Sequence, residues 1–196
     1  MSKFVAAILV AALPVAAVAA PEAYKLDPQH TFEYFEINHM GFSNVRGRFD
    51  MSSGKFTLDK AAKTATLEVT VQTASISSGH PTERGAYPRT RDDHLRSADF
   101  FNVAEFPTMT YKATTVTFNG DNPATIDGSL TLLGVTKPVP LHVENLKCGA
   151  NPFTKKEMCG GNASGVLKRS DFGMKAYIPA MSDEIKLWIG FEGYKE

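Results

Sequence analysis

The sequence predicts an all-β domain, an antiparallel barrel or sandwich, from three observations. Apolar residues recur at every second position along much of the chain, turn-forming residues separate these runs, and no long amphipathic helix interrupts them. Short connections between regularly spaced strands suit antiparallel pairing, and periodicity alone does not separate barrel from sandwich.

The chain has 196 residues. Residues 1–19 carry one positive charge at Lys3, an apolar run from Phe4 to Val18, and small residues at Ala17 and Ala19. This is the arrangement of a cleaved secretory signal, and the run is short for a membrane span. Cleavage after Ala19 leaves one domain, residues 20–196, with no cysteine near the new terminus to take a lipid. The expected product is exported and soluble.

Strand signals follow in order. Around Thr31 to Asn38 the parity is ambiguous, since Phe32 and Tyr34 face opposite Phe35 and Ile37. Val45, Phe49 and Met51 then alternate with Arg46, Arg48 and Asp50, and Leu67, Val69 and Val71 with Thr66, Glu68, Thr70 and Gln72. Further runs are Met109, Tyr111 and Ala113; Ile126, Leu130 and Leu132; Val135, Val139, Leu141 and Val143; and Ile185, Leu187, Ile189 and Phe191. Turns are expected at Ser53-Gly54, Asn119-Gly120-Asp121 and Gly160-Gly161-Asn162. Ser77 to Pro88, rich in Gly, Pro and Ser, reads as a loop. Thr90 to Ala98 reads as a short helix, with a capping box from Thr90 and Asp93. Phe106-Pro107 marks the entry to the next strand, and Pro138 with Pro140 suggests an edge or bulged strand.

Composition excludes some functions. Removing Lys3 leaves 20 basic and 21 acidic residues, so the exported chain has no basic excess to neutralise a phosphate backbone, and nucleic acid is not an expected partner. Cys148 and Cys159 flank a turn-rich segment in a chain bound for an oxidising compartment, and they are expected to form a structural disulfide. The five histidines, His30, His39, His80, His94 and His142, lack His-x-x-x-His spacing, and no metal is expected. No Gly-x-Ser-x-Gly elbow or other local nucleophile signature is present, so the chain does not read as an enzyme.

Several blocks in order carry a family resemblance. They are Leu26-Asp27-Pro28-Gln29-His30-Thr31, His39-Met40-Gly41-Phe42, the segment Arg91 to Phe101, Glu105-Phe106-Pro107-Thr108, Gly128 to Val139, and Lys168-Arg169-Ser170-Asp171-Phe172-Gly173-Met174. Together they resemble the YceI-like family of secreted, lipocalin-like polyisoprenoid-binding proteins, from about Tyr24 to Phe191. The resemblance implies an eight-stranded antiparallel lipocalin-like barrel with one or two short helices around an elongated apolar cavity, and a periplasmic location. The chain departs from the family in the extra segment Pro81 to Pro88.

The expected function is noncovalent carriage or sequestration of an amphiphilic isoprenoid lipid, polyprenyl, quinone-like or fatty, with no cofactor. Expected lumen residues are Phe32, Phe35, Val45, Phe49, Leu67, Val69, Tyr111, Leu130, Leu132, Leu141, Leu167, Trp188 and Phe191. Arg91, His94 and Arg169 are candidates for the lipid head group, because guanidinium and imidazole donors suit phosphate or carbonyl. The family blocks add His30 and His39. Phe100 and Phe101, directly after the helix, are expected to plug the barrel end. Transient membrane contact, a homodimer through the open ends of two barrels, a protein-interaction module with a filled barrel, and an enzyme acting on a lipid or quinone remain alternatives.

Overall fold

The computed structural model describes residues 20–79 and 89–196. The expected leader, residues 1–19, and the stretch 80–88, with His80 and the expected extra segment Pro81 to Pro88, lie outside the described residues.

The strands, in chain order, are β1 (Glu22–Leu26), β2 (Phe32–His39), β3 (Ser43–Phe49), β4 (Ser52–Asp59), β5 (Thr64–Gln72), β6 (Ile76–Ser77), β7 (Thr108–Asn119), β8 (Asn122–Leu132), β9 (Val135–Pro138), β10 (Leu141–Ala150), β11 (Glu157–Lys168) and β12 (Met181–Lys195). All pairings among them are antiparallel. Closure depends on β12. Its first part pairs with β2, from Met181 opposite His39 to Gly190 opposite Phe32, and its last part pairs with β1, from Gly193 opposite Leu26 to Lys195 opposite Tyr24. β1 and β2 therefore share one position in the ring, and β3 and β4 share the next. With β5, β7, β8, β10, β11 and β12 they close an eight-stranded barrel. β9 pairs only with β8, which gives Pro138 the edge position its missing N–H requires.

The short helix α1 spans Arg91–Arg96 with Thr90 as its N-cap, and the capping box is complete: Asp93 N–H donates to the Thr90 hydroxyl at 3.0 Å. It buries no residue of its own. It is held through Arg96, which donates to the carbonyls of Ala74 and Ile76, and through Asp92, which accepts from the Ser78 hydroxyl at 2.6 Å. The following Phe100 and Phe101 enter the barrel.

Two expected turns are absent. Ser53-Gly54 lies inside β4 and Gly160-Gly161-Asn162 inside β11. These glycines serve close approach instead: a Cβ at Gly54 would stand 2.3 Å from the Glu68 carbonyl oxygen, and one at Gly161 2.3 Å from that of Asn145. Gly161 also faces the place where β10 slips register between Val143 and Asn145. Met51, expected on the inner face, is exposed, because the alternation breaks where β3 passes into β4.

Cys148 and Cys159 form a disulfide between directly opposed positions of β10 and β11. It closes a loop with a sequence separation of 11. Replacing both cysteines with serine should lower unfolding stability by about 3 kcal/mol. Urea titration of both proteins checks this, and coincident midpoints would show that the bridge adds nothing.

Candidate functional site

The strands enclose a cavity of about 920 Å³, within the roughly 300–1,000 Å³ range of small-molecule sites. Its wall is mostly aliphatic and aromatic. Of the candidates named from the sequence, Phe35, Val45, Leu67, Val69, Tyr111, Leu130, Leu132, Leu141 and Leu167 line it. Ile37, Val71, Met109, Val139, Met174, Leu187 and Ile189 add to it. A smaller cavity of about 90 Å³ continues toward the β1 end, lined by Leu26, Phe56, Leu58, Val143 and the predicted Phe191. Phe49 packs behind the wall, its ring 6.0 Å from Phe35 and 5.3 Å from Phe101.

Phe32 and Trp188 are on the outer face, against expectation. Alternation fixes which residues share a face but not which face is inside. Phe35 is inside because β3 offers Gly47 beneath its ring, where a Cβ would come within 2.4 Å of Phe35 Cζ. Phe32 then points out, with the Arg48 guanidinium 5.4 Å from its ring centroid. Trp188 opposes Tyr34 across the outer surface and borders a shallow groove with Pro140 and His142.

Tyr111 lies along the barrel wall over another glycine. A Cβ on Gly128 would lie 2.3 Å from the Tyr111 ring, and the Tyr111 hydroxyl donates to the Val139 carbonyl at 2.8 Å. The phenol is half-buried with its hydrogen bond satisfied, and desolvation raises its pKa.

At one end of the cavity, lining residues reach the surface. Met40 and Tyr177 are both exposed and both line it, together with His39, Arg89, Arg91, His94 and Ala180. Phe42 stands 88% exposed on the hairpin beside Met40. Three of the predicted head-group residues, Arg91, His94 and His39, therefore gather at this mouth. Arg91 has no hydrogen-bond or ion-pair partner among the described residues. His94 bonds Asp99 through Nε2 at 2.9 Å and meets the rings of Phe100 and Tyr177 edge-on at 5.1 and 5.7 Å. Hydrogen bonds from His94 and Arg89 hold the Asp99 carboxyl below its usual pKa.

Arg169 also borders the cavity, but its donors are occupied. Nε donates to the Ser182 carbonyl (2.9 Å), one terminal nitrogen to those of Met174 (3.2 Å) and Ala176 (2.8 Å), and the other to that of Met181 (3.1 Å). Four of its five N–H groups are thereby used. Only 2% of the residue is exposed, and burial lowers the guanidinium pKa. Its acidic neighbour is Asp183, bonded to Ser170, rather than Asp171.

His30 lies apart from the mouth, at the opposite end of β2 from His39. It bonds Asp27 at 2.7 Å, which raises the imidazole pKa. With Glu192 these two place possible ligand atoms within 4.8 Å of one another, outside the barrel wall. Phe100 and Phe101 both line the cavity below α1: Phe100 packs on Leu132, Val139 and Phe172, and Phe101 meets Phe49 edge-on.

The sequence reading missed Glu33. It shares the inward face of β2 with Phe35 and Ile37 and lines both the main and the smaller cavity. Neither carboxyl oxygen has a hydrogen-bond partner, and both are buried. Burial pushes its pKa up to about 7. The only available signal was an acid placed at the same parity as two apolar residues.

A YceI-like domain model matches residues 24–192. Among curated relatives, a UPF0312 protein of Pseudomonas paraeruginosa is 39% identical over the whole of both chains, and the protein YceI of Escherichia coli O157:H7 is 38% identical over the same extent. The crystal structure of a Campylobacter jejuni YceI protein matches with a TM-score of 0.64 at 30% identity, covering 81% of this chain and 90% of that one. A polyisoprenoid-binding domain from Saccharophagus degradans, implicated in plant cell wall breakdown, shares the fold with a TM-score of 0.63 at 17% identity, covering 89% and 99%. A closed eight-stranded barrel, a domain match across nearly all of the described chain and full-length relatives of that name agree: this chain belongs to the YceI-like family.

Proposed function

We propose that the protein binds one amphiphilic lipid, an isoprenoid, quinone-like or fatty chain, inside the barrel and carries or sequesters it without making or breaking a bond. The observation that carries this reading is the apolar cavity of about 920 Å³ with a mouth at Met40, Tyr177 and α1. Each isoprene unit moved from water into such a lumen gains roughly 3–4 kcal/mol, at about 0.8 kcal/mol per carbon group. Several units exceed the cost of association and ordering. The polyisoprenoid-binding description of the Saccharophagus domain, of like fold, supports the same class of ligand.

The leader at residues 1–19 fits export to the periplasm, a compartment that a long-chain lipid does not cross unaided. The exposed Met40, Phe42 and Tyr177 around the mouth suit brief contact with a membrane during loading and release. An interaction module with a filled barrel is less well supported, since it needs side chains where this barrel has space.

Native mass spectrometry of the mature protein from its own compartment, with release and identification of any bound molecule, tests the reading. A stoichiometric long-chain lipid is the expected result. A ligand-free mass that persists after incubation with isoprenoid, quinone and fatty lipids would overturn it.

A further inference from the structure

Glu33 is not needed by a lumen that merely dissolves a tail. Its two carboxyl oxygens are buried and unpartnered in a wall otherwise built from hydrocarbon. The Ser52 hydroxyl and the backbone N–H of Glu33 itself lie beside the carboxyl and favour its charged form, yet neither closes a hydrogen bond to it, and Ser52 Oγ also stands 3.5 Å from the Thr31 carbonyl oxygen. Buried polar groups without partners are rare, and one facing a ligand cavity is accounted for if the ligand supplies the partner.

Position gives the second half of the argument. Glu33, Leu67, Val69, Leu141 and Ile189 line both cavities and so form the throat between them. Glu33 stands six residues along β2 from His39 at the mouth, about 20 Å at strand rise. The described cationic and imidazole groups of the cavity, His39, Arg89, Arg91, His94 and Arg169, line the main chamber, and none lines the smaller one. A phosphate or carboxylate at the throat would meet an acid and no counter-charge.

We propose that Glu33 is the recognition point for the polar end of the lipid, which enters head first and presents a neutral oxygen group, a hydroxyl or carbonyl, to the carboxyl at the throat. The protonated carboxyl donates one hydrogen bond to that oxygen, and a ligand hydroxyl can return one. The tail then fills the main chamber back toward Met40 and Tyr177. The burial that holds the carboxyl in its neutral form fits this role. This inference rests on the reading of the barrel as a lipid binder and adds the orientation and chemistry of the ligand.

The test uses lipid-stripped mature protein and four probes with C20 isoprenoid tails: geranylgeraniol, the hydrocarbon phytane, geranylgeranyl phosphate and geranylgeranylamine. Affinities are measured for the wild type, Glu33→Leu and Glu33→Gln. The wild type should prefer the alcohol to the hydrocarbon by about tenfold, the worth of one or two hydrogen bonds. Glu33→Leu should bring that ratio to about one, and Glu33→Gln, which keeps a donor and an acceptor, should retain most of it. Reading the ratio within each variant removes any general change in stability. An unchanged ratio in Glu33→Leu overturns the proposal, as does a wild-type preference for the phosphate or the amine over the alcohol. If phytane and all the other probes fail to bind any of the three proteins, the lipid-binding reading itself fails, and this inference with it.

Discussion

Replacing Arg169 with methionine is expected to lower unfolding stability by about 4 kcal/mol. Methionine keeps much of the aliphatic stem and removes the fork. The carbonyls of Met174, Ala176, Met181 and Ser182 then lose their common donor in a place with little access to water. Lysine should rescue little, since one ammonium cannot reach carbonyls spread around a planar guanidinium. These carbonyls span the connection from β11 to β12 that carries Tyr177, so the same variant should exchange a bound lipid faster. Chemical denaturation checks the first part and stopped-flow displacement the second. A loss under about 1 kcal/mol would mean that solvent satisfies the carbonyls, and that Arg169 is free to serve the ligand instead.

The second large effect is a pH dependence traced to Glu33. In the ligand-free fold its pKa is pushed from 4.5 to about 7, so the native state holds the proton more tightly than the unfolded chain does. Below the unfolded value the group is neutral in both states and has no effect. As pH rises from 4.5 through about 7 the fold must ionise a buried carboxyl, and stability falls by about 3 kcal/mol in total. Glu33→Gln should therefore match the wild type near pH 4 and exceed it by about that amount at pH 8. Asp27, Asp99 and Asp183, whose pKa values are lowered by the fold, act in the opposite sense, so only the difference between the two proteins is diagnostic. Stability curves that stay parallel across this window would mean that the carboxyl has a partner in solution.

The antiparallel strands were legible from alternation, and the choice of a closed barrel came from the ordered family blocks; turn chemistry misplaced Ser53-Gly54 and Gly160-Gly161-Asn162, which lie inside strands. Thr90 and Asp93 marked the helix start to the residue. What failed was the sign of the parity. Trp188 and Phe32 look like core by size, yet each sits one residue out of phase with the inner set: for Phe32 the deciding fact is Gly47 on the neighbouring strand, and for Trp188 it is the alternation of Leu187 and Ile189 on its own strand. Gly54, Gly160 and Gly161 were ambiguous for a related reason: a glycine that admits a neighbour's carbonyl is spelled like one that turns the chain. Among the cations that line the cavity, Arg91 and Arg169 cannot be told apart by residue type. One has no bonding partner among the described residues and the other is enclosed by carbonyls, and only tertiary contact distinguishes them.

The seam along β12 has a kinetic consequence. Its partners β1 and β2 lie at the other end of the domain, so Leu26 meets Gly193 and Phe32 meets Gly190 across nearly the full length of the chain. Such distant pairings are slow to form, because the intervening chain must be ordered first. During synthesis the earliest strands stay unsealed until the final fifteen-residue strand arrives. Until then the future lumen is an open, apolar sheet, and a chain that ends before β12 lacks the strand that joins β11 to β1 and β2.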